Sequence, residues 1–130
     1  MIIEGRVVQG KQLGRTIGFP TANIEAECRL GDGPDGVYAA WIDVEGMRCG
    51  AMVNIGHHPT LPEGGRTVEA HIFGFCGDVY GMQVRLETVA YLRPERKFGS
   101  VDELRNQLEK DKITARTILG SQISTPPGIE

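Results

Sequence analysis

The stretch from Gly36 to Ile55, GVYAAWIDVEGMRCGAMVNI, leaves a chain few choices of architecture. Gly36–Val44 is rich in β-branched and aromatic residues, which suit a pleated strand. Alternation puts Tyr38, Ala40, Ile42 and Val44 on one face and Ala39, Trp41 and Asp43 on the other. Glu45-Gly46 then turns tightly into Met47–Ile55, so the two runs read as an antiparallel hairpin. Trp41, the single tryptophan, is read as a packing residue on the second face. Glycine continues the same punctuation elsewhere. It supplies 18 of 130 residues, about twice its usual share of roughly 7%.

Shorter strand patterns flank the hairpin. Ile2–Val8 places Ile3, Gly5 and Val7 on one face, and a brief extended segment is expected over Thr21–Ile24. Thr67–Phe73 follows, with Val68, Ala70 and Ile72 on the apolar side. Gln83–Leu92 is the longest run, with Val84, Leu86, Ala90 and Leu92 expected inside. Glu25–Asp35, Gly56–Arg66 and Gly74–Met82 are polar, glycine-bearing connections. One helix is expected, over about 100–119. Ser100-Val101-Asp102-Glu103 forms a capping box at its start, and Gly120 stands in a C-cap position at its end. Val101, Leu104, Leu108, Ala115 and Leu119 form its apolar stripe, and the tail 121–130 is expected to be flexible. The expected fold is mainly β, an antiparallel barrel of six strands with one C-terminal α-helix, in a single domain spanning 1–130.

Composition narrows the function classes. A net charge of −3 gives no electrostatic footprint for nucleic acid. No apolar run approaches the ~18 residues that would cross a bilayer, and MIIEGRVVQG lacks the apolar core of a secretory signal. Cys28, Cys49 and Cys76 are an odd, widely spaced set, as expected of free thiols in a reducing cytoplasm. His57, His58 and His71 have no metal-ligand spacing to each other or to the cysteines. The paired histidines read either as general bases or as residues of a solvated loop.

Chemistry concentrates in Gly10–Asn23, GKQLGRTIGFPTAN. Glycines at 10, 14 and 18 allow main-chain N–H groups to approach an anion, and Lys11 and Arg15 add two cations. Pro20 biases the segment towards an extended form, which sets the Thr21 hydroxyl and Asn23 amide on one face. Two neutral oxygens beside a basic loop make a half-site for Mg²⁺ carried on phosphates. An ordinary glycine-rich turn is the competing reading. Neither a P-loop nor a dinucleotide fingerprint is present. Glu69 stands in the middle of an apolar strand, so it faces either solvent or a cleft.

GRTIGFPTANI, Gly14–Ile24, resembles the signature of riboflavin kinase, the ATP-dependent type found alone or as the C-terminal part of bifunctional FAD synthetases. Three further stretches match that family in order: GAMVNIG with Pro59-Thr60, RTVEAHI at Arg66–Ile72, and YLRPERKF at Tyr91–Phe98. The similarity runs from about Gly5 to Leu119. It implies a Greek-key barrel, and phosphorylation of the riboflavin 5′-hydroxyl by ATP to give FMN and ADP; a non-catalytic flavin- or nucleotide-binding sensor barrel and a kinase for another small alcohol are the competing readings. It further implies that the Gly10 backbone and Arg15 hold ATP phosphates, with Thr21, Val79 and Tyr80 also near the nucleotide. Thr21 and Asn23 would ligate Mg²⁺, Glu69 would be the catalytic base, and Arg93 and Phe98 would meet the flavin ring. The expected partners are therefore riboflavin and ATP, acted on by a monomer. With no adenylyltransferase domain visible, this chain by itself is expected to make FMN and not FAD.

Overall fold

The computed structural model describes residues 1–8, 18–26, 33–57, 66–74 and 79–123. Six strands and one helix appear in chain order: β1 (Ile2–Val8), β2 (Ala22–Ala26), β3 (Gly36–Val44), β4 (Met47–His57), β5 (Arg66–Ile72), β6 (Gln83–Arg93) and α1 (Val101–Ile123). All neighbouring strands are antiparallel, and they close a barrel in the order β1-β2-β5-β4-β3-β6. Among the described strands, closure leaves no unpaired sheet edge.

Strand alternation produces two separate apolar cores. Inward residues such as Ile24, Ile42, Val53, Ile55 and Leu86 fill the barrel. Outward Val37, Ala39 and Met52 form a second core with Ala115 and Leu119 of α1. Trp41 packs at the margin of that second core, its ring 5.1 Å from the Arg48 guanidinium. The β3–β4 turn has φ of 50° at Glu45 and 81° at Gly46, the left-handed pair that matches strand twist in a two-residue hairpin. Where β1 crosses β2, Gly5 lies directly opposite Ala26, and a side chain there would strike the Glu25 carbonyl.

Three expectations are corrected. Ala90 and Leu92 do not point into the barrel. The β3–β6 register runs Ala40↔Thr88, Ala39↔Ala90, Tyr38↔Tyr91 and Val37↔Arg93, skipping Val89 and Leu92. Each bulge adds a residue and flips the alternation. Val89 and Leu92 therefore pack under the helix, while the Tyr91 ring meets inward-facing Tyr38 edge-on at 5.2 Å. Two inversions cancel, so Arg93 regains the outer face. The helix also passes beyond Gly120 to Ile123. Leu119 anchors its last turns against Gly50, whose missing side chain lets the helix approach. One exposed glycine costs only about 1 kcal/mol against that packing. Val101, expected on the apolar stripe, is 52% exposed.

At the start of α1, the Glu103 N–H donates to Ser100 Oγ at 3.1 Å. Glu103 Oε1 accepts from the N–H of Gly99, at 3.1 Å, rather than from that of Ser100. No helix among the described residues is long and apolar enough to cross a membrane.

Candidate active site

One register row runs across all six strands: Val8↔Asn23, Asn23↔Glu69, Glu69↔Asn54, Asn54↔Val37 and Val37↔Arg93. Residues in one row share a face of the sheet. Their strand neighbours Ala22, Ile24, Val68, Ala70, Val53 and Ile55 fill the interior, so the row lies on the outer wall. Strand stagger keeps it from closing on itself, since β6 meets β1 at Arg6↔Gln83.

A cavity of about 340 Å³ opens between this wall and the first half of α1. Val37 and Met52 line it from the barrel, and Leu104 and Leu108 from the helix. Its polar groups come from two directions. Thr21, Asn54, Glu69 and His71 stand on the β2–β4–β5 side. Arg93, Glu95, Arg96 and Phe98 come from the end of β6 and the segment after it. A mostly apolar slot on which polar groups converge from two directions has the general form of a small-molecule site.

Glu69 and Thr21 share this cavity. Asn23 is half-buried and adjacent to Glu69 across the β2–β5 ladder, but it does not line the cavity. Val79 and Tyr80 are also outside it. Their turn is tied to the end of β1: the Gly81 N–H donates to the Val7 carbonyl at 2.8 Å, and the Val7 N–H to that of Met82 at 2.9 Å. Tyr80 is 56% exposed. They thus flank the strand that leads into the glycine-rich segment. Gly10 and Arg15, with Lys11, lie outside the described residues.

His71 shares the outer face with Glu69, two positions along β5, and is only 9% exposed. A carbonyl can only accept, so the 2.8 Å contact from Nδ1 to the Pro20 oxygen puts a proton on Nδ1. The ring lies between Phe19, at 5.2 Å, and Phe73, at 5.8 Å. Burial pushes its pKa below 6.5. The Pro20 bond opposes that shift, while the Lys112 and Arg116 charges on α1 reinforce it. The neutral imidazole with Nδ1–H is the form this pocket favours, leaving Nε2 as an acceptor.

Arg93 is locked rather than free. Its Nε reaches both Asp111 oxygens at 3.0 Å, and Nη2 reaches Oδ2 at 2.8 Å. Gln107 adds a fourth hydrogen bond to Asp111, at 2.9 Å. The Arg93 guanidinium also lies 5.8 Å from the Phe98 ring, which Arg96 approaches at 5.0 Å. With its charge answered by Asp111, Arg93 ties β6 to α1 and supports the Phe98 ring. Asn54 Nδ2 donates to Glu95 Oε2 at 3.0 Å, joining the post-β6 segment to β4.

Asn54, Glu95 and Asp111 were not singled out from the sequence. Asp111 did carry a signal: it interrupts the helical stripe Leu104, Leu108, Ala115 and Leu119 at an apolar position. Asn54 likewise is an amide in the apolar run AMVNI. Glu95 had none, because its role depends on where the segment after β6 folds back.

Comparisons with known proteins bear on the family and the fold. A family model described as riboflavin kinase matches residues 1–119. A bifunctional riboflavin kinase/FMN adenylyltransferase of Bacillus subtilis (strain 168) is 41% identical over 116 residues, 87% of this chain and 37% of that protein. The chain therefore spans well under half the length of that relative. Among solved structures, a Streptococcus pneumoniae protein described as a macrolide-efflux protein superposes with a TM-score of 0.81 at 35% identity. The match covers 88% of this chain and 38% of that one. A riboflavin kinase from Trypanosoma brucei shares the fold at a TM-score of 0.61 and 24% identity, over 98% of this chain and 88% of that one. Matched along its barrel and nearly all of its helix, the chain belongs to the riboflavin kinase family.

Proposed function

We propose that this chain transfers the γ-phosphoryl group of ATP to the 5′-hydroxyl of riboflavin, giving FMN and ADP. The observation that carries this reading is Glu69 lining one cavity with Thr21 and Phe98, and paired across the β2–β5 ladder with Asn23. Phosphoryl transfer needs a phosphate site, an in-line hydroxyl and a proton acceptor.

Glu69 is the proposed base. The hydroxyl oxygen forms a bond to the γ-phosphorus as the bridging oxygen to ADP departs, and the hydroxyl proton passes to the Glu69 carboxylate. A carboxylate is a far weaker base than an alkoxide, so it cannot ionise an alcohol beforehand. It orients the hydroxyl and takes the proton as the new bond develops. The flavin ring would occupy the apolar slot, with Phe98 against it and Arg93 bracing Phe98 through Asp111.

The donor set suits a hard cation that arrives with the nucleotide. Among the described residues no cluster of three His, Cys, Asp or Glu could hold a metal by itself. Thr21 and Asn23 would contribute two neutral oxygens, as suits Mg²⁺ held chiefly by phosphates and water. When bound, Mg²⁺ would offset charge on the phosphate oxygens.

The test is FMN formation from riboflavin, ATP and Mg²⁺, followed by chromatography for the native chain and Glu69→Gln. Loss of about 10²–10⁴-fold in turnover, with riboflavin still bound, is the expected result for a general base. Turnover unchanged in the variant would remove Glu69 from the chemistry. Riboflavin binding without product in the native chain would instead mark a flavin-binding barrel that is not a kinase.

A further inference from the structure

We propose that His71 is a positioning residue that sets nucleotide affinity by holding Thr21 on the Glu69 wall. The inference rests on the kinase reading above and adds a residue to it.

The β2–β5 ladder pairs Ile24 with Val68, Asn23 with Glu69 and Ala22 with Ala70. One further step would pair Thr21 with His71, yet Thr21 lies before the first residue of β2. Pro20 is the physical reason the strand starts late. It has no N–H to donate, so regular pairing stops beside it. Its carbonyl still needs a partner, and His71 Nδ1 supplies one at 2.8 Å. A side-chain bond thus takes the place of the missing ladder rung.

The clamp has a second arm. Phe19 is 4% exposed, packed 5.2 Å from the His71 ring. The Lys112 ammonium stands over the Phe19 ring, 5.9 Å from its centre. Gly18, at φ of 88°, bends the chain immediately before Phe19. The dipeptide before Thr21 is therefore fixed by one hydrogen bond and one buried ring. Because His71 belongs to the same strand as Glu69, the clamp sets Thr21 relative to the base. A Thr21 hydroxyl free to swing would still permit flavin binding but would hold the nucleotide less well.

Two substitutions separate the clamp from simple packing. His71→Phe keeps a flat ring between Phe19 and Phe73 and removes the donor. His71→Asn places an amide N–H close to the former Nδ1. In FMN formation, His71→Phe is expected to raise the KM for Mg·ATP about tenfold, the scale of one lost hydrogen bond, with the riboflavin KM changed less than about twofold. His71→Asn is expected to recover most of that loss. Equal weakening towards both substrates, or no recovery in His71→Asn, would leave only a packing role and overturn the proposal. If the native chain makes no FMN, the kinase reading fails separately. The clamp is then read from the Thr21 methyl order parameter by NMR: a fall in His71→Phe, restored in His71→Asn, supports it, and an unchanged value overturns it.

Discussion

Cutting Asp111 back to alanine would strand the Arg93 guanidinium under the helix. The two side chains are 14% and 5% exposed, and the aspartate accepts three hydrogen bonds from Arg93, at 2.8–3.0 Å, and a fourth from Gln107. Breaking a buried pair by removing one partner costs about 3–5 kcal/mol, because the survivor keeps its desolvation penalty without its attraction. The Arg105–Asp102 pair offers an internal contrast, with 44% and 84% exposure. Solvent-screened pairs of that kind contribute only about 0–1 kcal/mol. For a domain of ordinary stability, about 5–15 kcal/mol, Asp111→Ala should remove a large fraction of the total while Asp102→Ala should hardly register. Urea denaturation followed by Trp41 fluorescence measures both. A joint Arg93→Met/Asp111→Leu variant should recover much of the loss, since it removes both charges at once. Because Arg93 also backs the Phe98 ring, riboflavin affinity should fall further than nucleotide affinity in Asp111→Ala. An Asp111→Ala loss below about 1 kcal/mol, matching the Asp102 control, would refute the view of this pair as a buried brace.

Two other outcomes follow from the barrel. Burial, aided by Tyr91 and Asp35 and opposed by Arg66, raises the Tyr38 pKa above 10.0, so the folded chain keeps the phenol neutral after the unfolded chain has ionised. Stability should therefore fall as pH climbs beyond about 10, and the advantage of the native chain over Tyr38→Phe should shrink across that range in pH-stepped thermal unfolding. A gap that stays constant with pH would count against the buried, neutral phenol. Gly5→Ala should lower the unfolding midpoint through backbone displacement at the β1–β2 contact, whereas Gly46→Ala should act through its φ of 81° alone, with no neighbour in the way. Crystallographic or NMR comparison would separate the two: strands pushed apart near Glu25 in the first, an intact barrel with a remodelled turn in the second.

Much of this architecture is written in local patterns. Period-two alternation in Gly36–Ile55, the Ser100–Glu103 cap and the helical stripe each report short-range physics, and the strands, the hairpin and the single helix are legible from them. Alternation put Glu69, and Thr21 with Asn23, on polar faces for the same reason, and the resemblance to a known family then made Glu69 the candidate base. What alternation could not say was that those faces meet. Thr21 and Glu69 are 48 positions apart, and only the β2–β5 register brings their strands together. The β6 bulges were equally invisible, because the ladder that skips Val89 and Leu92 is defined by β3, not by β6 itself. Arg93 reads from sequence as an available cation, and only the packed helix reveals that Asp111 already holds it. Residue types and their spacing determined which elements form and which groups could do chemistry. Register, bulges and helix docking decided which of those groups share a cavity, because they depend on contacts between segments far apart along the chain.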